Sequence, residues 1–418
     1  MKTGTLAAPP QQNPVREGFR FDGWTHDNQP YDFQTPIIQD TTLKAQWSKT
    51  TDWTLSPAHG PTAGARLTIN PPSPQEPCYV SVQTAGDQIV GLTGDGRIYT
   101  WTQDGTPKQV PSPAQIPAGF HYLQATAGSR RQAALGSDQH IYTWNSQQAT
   151  PVILDTSQSS RFTSISMNDD RLLAVDRQGQ VHAFQDSQTG SQNPHQKPVE
   201  QTTTRLPGQV QAVLAAASAS RILALDADGQ AWTWDKNNTG KAEPARIKQQ
   251  PGMRTVQAQA LNQGFLLLNA DGQARYLANT AADSTAVNLP EGMKASSAAT
   301  NNDRAMIVGK GGRLWAWKPG EAPKRANNGN QQFVQATAAG NRIIAISRQG
   351  DIYKWSLDEQ GQPGKPARLD TSTDPTLESA SLDSQPLKLS KTSSIWQAEI
   401  PARKPGPAAI TIAGRQDG

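Results

Sequence analysis

The sequence predicts an all-β protein dominated by a seven-bladed β-propeller. Three observations predict it. A glycine-marked turn followed by an alternating strand recurs seven times, each copy is preceded by a short apolar run, and the composition favours many short strands joined by polar turns. Of 418 residues, 35% are hydrophobic and 18% charged, both below the usual globular averages. The mean hydropathy of −0.64 therefore comes from Gln, Asn, Ser and Thr, which suits strands and turns and not a helical bundle. The length allows two to four domains.

The seven copies are Gly94-Asp-Gly-Arg-Ile-Tyr-Thr-Trp101, Ser137-Asp-Gln-His-Ile-Tyr-Thr-Trp144, Arg177-Gln-Gly-Gln-Val-His-Ala-Phe184 and Ala227-Asp-Gly-Gln-Ala-Trp-Thr-Trp234, then Ala270-Asp-Gly-Gln-Ala-Arg-Tyr-Leu277, Lys310-Gly-Gly-Arg-Leu-Trp-Ala-Trp317 and Arg348-Gln-Gly-Asp-Ile-Tyr-Lys-Trp355. Their last residues lie 43, 40, 50, 43, 40 and 38 positions apart. Six copies carry Gly at one turn position (Gly96, Gly179, Gly229, Gly272, Gly312 and Gly350), and Gln139 is the exception. Asp-Gly between apolar runs predicts a type I′ hairpin turn, which needs positive φ. The runs before the turns, such as Ile222-Leu-Ala-Leu225 and Ile343-Ile-Ala-Ile346, are continuous and read as inner strands buried on both faces, near the propeller axis with the strand after the turn next to them. The strand after each turn alternates and ends in Trp in five copies: Trp101, Trp144, Trp234, Trp317 and Trp355. A large aromatic there should wedge between neighbouring sheets. One unit cannot bury its own apolar face, whereas seven arranged radially can. A linear solenoid is the lesser alternative, because no polar capping repeat stands at either end.

Several segments resemble known families. The stretches Val82-Gln-Thr-Ala-Gly86, Leu123-Gln-Ala-Thr-Ala-Gly128 and Val334-Gln-Ala-Thr-Ala-Ala-Gly340, each leading into a copy above, resemble the regulator of chromosome condensation repeat superfamily over residues 75–372. The short blades are similar to those of its bacterial members and of β-lactamase inhibitory protein II. Trp144 is followed by Asn where that superfamily usually has Gly, and no Gly-Gln-Leu-Gly occurs, so the resemblance speaks for the fold more than for nucleotide exchange.

Residues 9–48, with Pro14-Val-Arg-Glu-Gly18-Phe-Arg-Phe21-Asp-Gly23-Trp24, Tyr31-Asp-Phe33 and Thr42-Leu-Lys-Ala-Gln-Trp47, resemble a partial Listeria–Bacteroides (internalin B-type) repeat. The resemblance implies a small core of Trp24, Phe33, Leu43 and Trp47 and a spacer role on a bacterial surface. Residues 53–72, with Ser56-Pro57 and Gly60-Pro61 before a strand, resemble the opening of a TIG-type immunoglobulin-like fold, and residues 374–418 its closing half. The expected arrangement is a propeller inserted in a small split β-sandwich, with Leu67–Ile69 sharing that sandwich with Ile410–Ile412. The close ends of a propeller make such an insertion cheap. The polar stretch 370–386 should be the return linker plus a strand.

The charge pattern excludes little. The net charge is +4 with a pI of about 9.1, but the basic runs are only pairs such as Arg130-Arg131, so no nucleic-acid partner is expected. The single Cys78 rules out an internal disulfide. No apolar run approaches the 18 residues of a membrane span. The first ten residues lack the apolar core of a signal peptide, so for a secreted chain the signal and anchor are expected outside these residues.

Catalytic motifs are absent: there is no nucleophile elbow, P-loop, His-Glu-x-x-His or EF-hand loop. His26, His59, His121, His140, His182 and His195 stand singly, and Asp169-Asp170 and Asp358-Glu359 read as loop acids. No enzyme, cofactor or metal is expected. One pattern repeats with the blades. The residues Gln88, Gln132, Arg171, Arg221, Gly264, Arg304 and Arg342 are equivalent, and four are Arg. With Arg130 and Arg131 they could ring one mouth of the channel and offer guanidinium forks to carboxylate, sulfate or phosphate groups. The bland reading is that each caps its own loop.

Together these readings describe a non-enzymatic, monomeric adhesion or binding module on the surface of a Gram-positive bacterium of the actinobacterial type, engaging a protein or anionic glycan on host or cell wall. The alternatives, by superfamily resemblance, are a guanine-nucleotide exchange regulator and a proteinaceous enzyme inhibitor.

Overall fold

The structure is a computed structural model. It describes residues 5–16, 19–49, 53–57, 60–72, 76–102, 105–113, 116–146, 148–154, 161–168, 171–185, 197–237, 243–250, 252–301, 303–369, 371, 375–392 and 395–415. Gly18, His59, Asp169, Asp170 and His195 lie outside the described residues, as do the expected domain edges at 75, 372, 374 and 418. The chain divides into two compact units, one of residues 1–14, 22–46 and 78–369, the other of residues 15–21, 47–77 and 370–418.

The first unit contains a β-propeller. Its sheets are seven four-stranded antiparallel meanders among the described residues, with strands ordered as they come in the chain. In the first sheet these are Tyr79–Ala85, Gln88–Thr93, Ile98–Thr102 and Lys108–Gln109. The seven first strands, from Tyr79–Ala85 to Phe333–Ala339, surround a central cavity. The apolar runs, expected near the axis with the Trp-ending strand next to them, are the second strands, one out from the innermost, with the Trp-ending third strand beside them, and they are buried along nearly their whole length. The reason is geometric. Sheets radiating from an axis are closest at the axis and splay outward. Ala, Ser, Thr and Gln fit the inner strand, Leu and Ile the second, and Trp the third, where the gap is wider.

Among the described residues, seven apolar clusters fill those gaps, each drawn from two adjacent sheets. Trp144 packs with Val90 and Leu92 of the preceding sheet, Trp234 with Leu173 and Val175, and Trp355 with Met306 and Val308. Trp101 lies with Ile344 and Ile346 of the seventh sheet, so the last sheet packs on the first. Trp317 joins Leu266 and Leu268 in the same way.

The turns between second and third strands differ from the expected type I′. Gly96 has φ +84°, but Asp95 is absent from the positive-φ residues. The Gly96 amide donates to Thr93 O and the Thr93 amide to Arg97 O. One left-handed residue after a type I turn is the three-residue loop with a G1 bulge. The same form recurs at the other copies, and Gln139 takes the left-handed place itself, at φ +66°.

Strands Phe19–His26, Gln29–Pro30 and Lys44–Lys49 form a three-stranded sheet. Phe21 and Tyr31 are its buried aromatics. Trp24, Phe33, Leu43 and Trp47, the expected core, are only half-buried, with Trp47 edge-on to Phe21 and Phe33 edge-on to Tyr31.

The second unit pairs chain segments far apart in sequence. Ala65–Asn70 runs antiparallel to Ile395–Ile400, with Leu67 opposite Ala398, in a four-stranded sheet completed by Thr54–Ser56 and Leu389–Thr392. Thr376–Leu382 pairs with Ile410–Arg415 in a three-stranded sheet. Leu67, Ile69, Leu377, Ala380 and Ala398 bury together, with Trp53, Ile410 and Ile412 against them. Gly414 has no side chain because a Cβ there would lie 2.7 Å from the Trp53 indole.

Candidate functional site

Strand direction gives the propeller two faces. The turn face carries the second-to-third-strand turns. The hairpin face carries the first-to-second-strand hairpins and the third-to-fourth-strand loops. The central cavity, about 610 Å3, lies between them.

Its wall is built by side chains that clasp adjacent sheets. Gln124 accepts from the Ile165 amide at 2.8 Å and donates to Thr163 O at 3.3 Å. Gln257 does the same with both backbone groups of Ala298. Gln335 accepts from the Val82 amide at 2.7 Å. Nearer the hairpins, Asn168 donates to Ala217 O and Asn301 to Ala338 O, both at 2.6 Å. First strands of neighbouring sheets are not paired in one ladder, so these amides supply the missing hydrogen bonds.

An N-terminal segment belongs to the same unit and lies on the turn face. The Asn13 side chain donates to Asp95 O at 2.8 Å. Gly23 meets Gly94 so closely that a Cβ on Gly94 would lie 2.3 Å from Asp22 O, and one on Gly23 2.5 Å from the Gly94 Cα. Gly94 is the one Gly at this position among the seven copies, where the others have Ser, Arg, Ala, Ala, Lys and Arg. Residues His26, Gln29–Asp32, Gln34–Pro36 and Ile38 line the cavity beside the turn residues Lys310, Gly312 and Arg348.

Asp32 is the one carboxylate among the described lining residues. Burial pushes its carboxyl up to about 6, against the lowering pull of the Gln34 amide, which donates to Oδ1 at 2.9 Å. Burial, and secondly Asp32 itself, raises the Tyr31 phenol.

The predicted arginines lie at the other face, and none of the six is among the described residues that line the cavity. Arg171, Arg221, Arg304 and Arg342 each begin the second strand of their sheet. Arg171 is buried and donates to Gln185 Oε1 at 2.9 Å. The Arg221 Nε donates to Thr233 Oγ1 at 3.1 Å. Arg304 donates to Gly340 O of the following sheet at 2.9 Å. Arg342 and Arg130 are exposed, whereas Arg131 is buried. The equivalence read from the sequence thus brings them to one face, with several engaged in the scaffold.

Among the described residues no group of three His, Cys, Asp or Glu could hold a metal ion. No described helix is long and apolar enough to cross a membrane. The closest approach to such a cluster is His182, buried, with Nδ1 2.7 Å from Glu200 and Nε2 3.1 Å from Asp176. Sequence reading passed over Asp32, Gly94 and the clasping glutamines. The signals were there: Gln recurs in four of the inner strands, and Gly94 alone is Gly in its column.

No protein-family description matches the sequence, and no curated protein matches it. Solved structures do. Human WBSCR16 superposes with a TM-score of 0.51 at 13% identity, over 64% of this chain and 87% of that one. Prp20p from Saccharomyces cerevisiae, a structure reported with its binding to Gsp1p and histones, superposes with a TM-score of 0.50 at 13% identity, over 78% and 83%. At that identity the likeness is one of fold, and the fold is a β-propeller.

Proposed function

We propose that the chain is a non-enzymatic binding module whose seven sheets are the blades of one propeller, inserted in a split TIG-like sandwich and preceded by a partial Listeria–Bacteroides-type repeat, on the surface of a Gram-positive bacterium. The partner, a protein or an anionic glycan, docks on the hairpin face. One observation carries this. The second-to-third-strand turns share one three-residue form, while the third and fourth strands are separated by 5, 7, 13, 9, 6, 6 and 10 residues in successive sheets. Variable loops on a repeated scaffold are where recognition is built. The exposed Arg130 and Arg342 stand on the same face.

The second reading, a guanine-nucleotide exchange regulator, draws on the fold shared with Prp20p. A single set of measurements separates the two. The chain is passed over immobilised sulfated glycan and wall teichoic acid, and is also mixed with a nucleotide-loaded small GTPase. Saturable polymer binding supports the surface reading if it is lost in the Arg130→Gln, Arg342→Gln variant. It should weaken with salt, since the Debye length falls from about 10 Å at 0.1 M to about 3 Å at 1 M. Accelerated nucleotide release overturns it in favour of the second.

A further inference from the structure

Asp32 and Arg348 line one end of the same cavity and do not pair with each other. Asp32 comes from the N-terminal segment and Arg348 from the seventh turn, so both stand at the turn-face end. The second oxygen of Asp32 has no hydrogen-bond partner among the described residues, and its first takes only the Gln34 amide. The Arg348 guanidinium forms no ion pair or hydrogen bond among the described residues, and its Nε is buried. The Gln34 Nε2 is likewise buried without a partner.

This pattern is unusual. Opposite charges beside one cavity gain by pairing, and a charge left unpaired costs more as it loses water. The polar groups on the inner strands are largely spent on adjacent sheets, as the amides of Gln257, Asn168 and Asn301 are, so the wall does not satisfy the two charges. A ligand that carries both complementary charges would.

We propose that the central cavity binds a small zwitterion, a free amino acid or short peptide, with its ammonium on Asp32 and its carboxylate on Arg348. Lys310, on the neighbouring turn, adds positive charge on the carboxylate side. The cavity volume of about 610 Å3 exceeds a single small amino acid and falls in the range of ordinary ligand sites. This site is separate from the hairpin face and does not depend on the surface reading.

Titration calorimetry on the full chain tests it with three probes: L-alanyl-L-alanine, its N-acetyl derivative and its C-terminal amide. The expected result is binding of the free dipeptide about tenfold or more tighter than either blocked form, a difference of about 1.4 kcal/mol for each tenfold. Asp32→Asn should erase the discrimination against the N-acetyl form alone. Arg348→Gln should erase the discrimination against the amide alone. Binding should weaken as pH falls through about 6, where Asp32 takes up a proton. Equal affinity for the three probes overturns the proposal. So does a panel of free amino acids and dipeptides with no heat of binding at about 10 mM, weaker than any Kd of functional use. Both variants remove a charge from a site that lacks its partner, and a melting curve for each confirms that lost binding is not lost folding.

Discussion

The Gln335 side chain of the seventh sheet accepts a hydrogen bond from the Val82 amide of the first, at 2.7 Å and across 253 residues of sequence. Thr84 and Thr337 meet beside it at 2.9 Å, and the Tyr79 amide donates to Gly350 O at 2.9 Å. These contacts tie the two ends of the repeat array together, where a solenoid would leave them apart.

Gln335→Leu should cost about 1–3 kcal/mol, because the buried Val82 amide loses its only described acceptor. Urea unfolding gives the loss. Hydrogen exchange should show it first at Val82, since the defect sits at the ring closure.

Gly94→Ala tests how the N-terminal segment is held. The added methyl would lie 2.3 Å from a backbone oxygen, which has no rotamer to move. The expected penalty is about 1–3 kcal/mol, as for other overpacked sites. Exchange should rise across residues 22–38 and stay unchanged in the fourth sheet. An unchanged N-terminal segment would mean that its docking does not rely on Gly94.

Trp355→Ala removes a residue that fills the gap between the sixth and seventh sheets and donates its indole N–H to Ala326 O at 2.7 Å. A loss of about 3–5 kcal/mol is expected from the cavity and the orphaned carbonyl. Thermal and urea unfolding should agree on it.

Asp32→Asn should stabilise the protein at neutral pH. The folded carboxyl titrates near 6 against an ordinary 3.8, so the native state holds its proton more tightly than the unfolded chain. Native stability therefore falls as pH rises from 3.8 to about 6, and the deficit persists above. Replacing the carboxylate removes a deficit of about 1–2 kcal/mol, allowing for partial solvation. The variant and the parent should converge below pH 3.8, which paired melting curves across the range will show.

The arginines should separate by burial. Arg171→Gln should cost about 1–3 kcal/mol, because it disturbs a buried donor bonded to Gln185. Arg130→Gln, on an exposed hairpin, should stay within about 0.5 kcal/mol. Melting temperatures of the two single variants decide it, independently of any binding measurement.

The repeat itself was legible in the chain. The alternation of Ile98–Trp101, the apolar run Ile343–Ile346 and the recurring glycine are local signals, written in residue type and spacing, and they specify sheets, turns and the Trp that fills each gap. The order of strands about the axis was not local. It depends on how close neighbouring sheets come, and that placed Val82-Gln-Thr-Ala inside and the more hydrophobic run one strand further out. The turn type likewise rested on the conformation of Asp95, since Asp-Gly is compatible with both forms.

What only the tertiary structure decided is which distant residues meet. Sequence periodicity brought four arginines to equivalent places on one face, and equivalence says nothing of what each side chain touches: one is buried on Gln185, another reaches Gly340 of the next sheet. Asp32 belongs to no repeat and stands in a segment read as a spacer. Its meaning arises because the chain folds residues 29–38 against turns that follow some 280 to 320 residues later, a separation that carries no trace in local pattern. Local periodicity encodes which face of a strand is buried. Burial without a counter-charge is a property of the assembled cavity, where desolvation acts on whatever groups the fold has brought together.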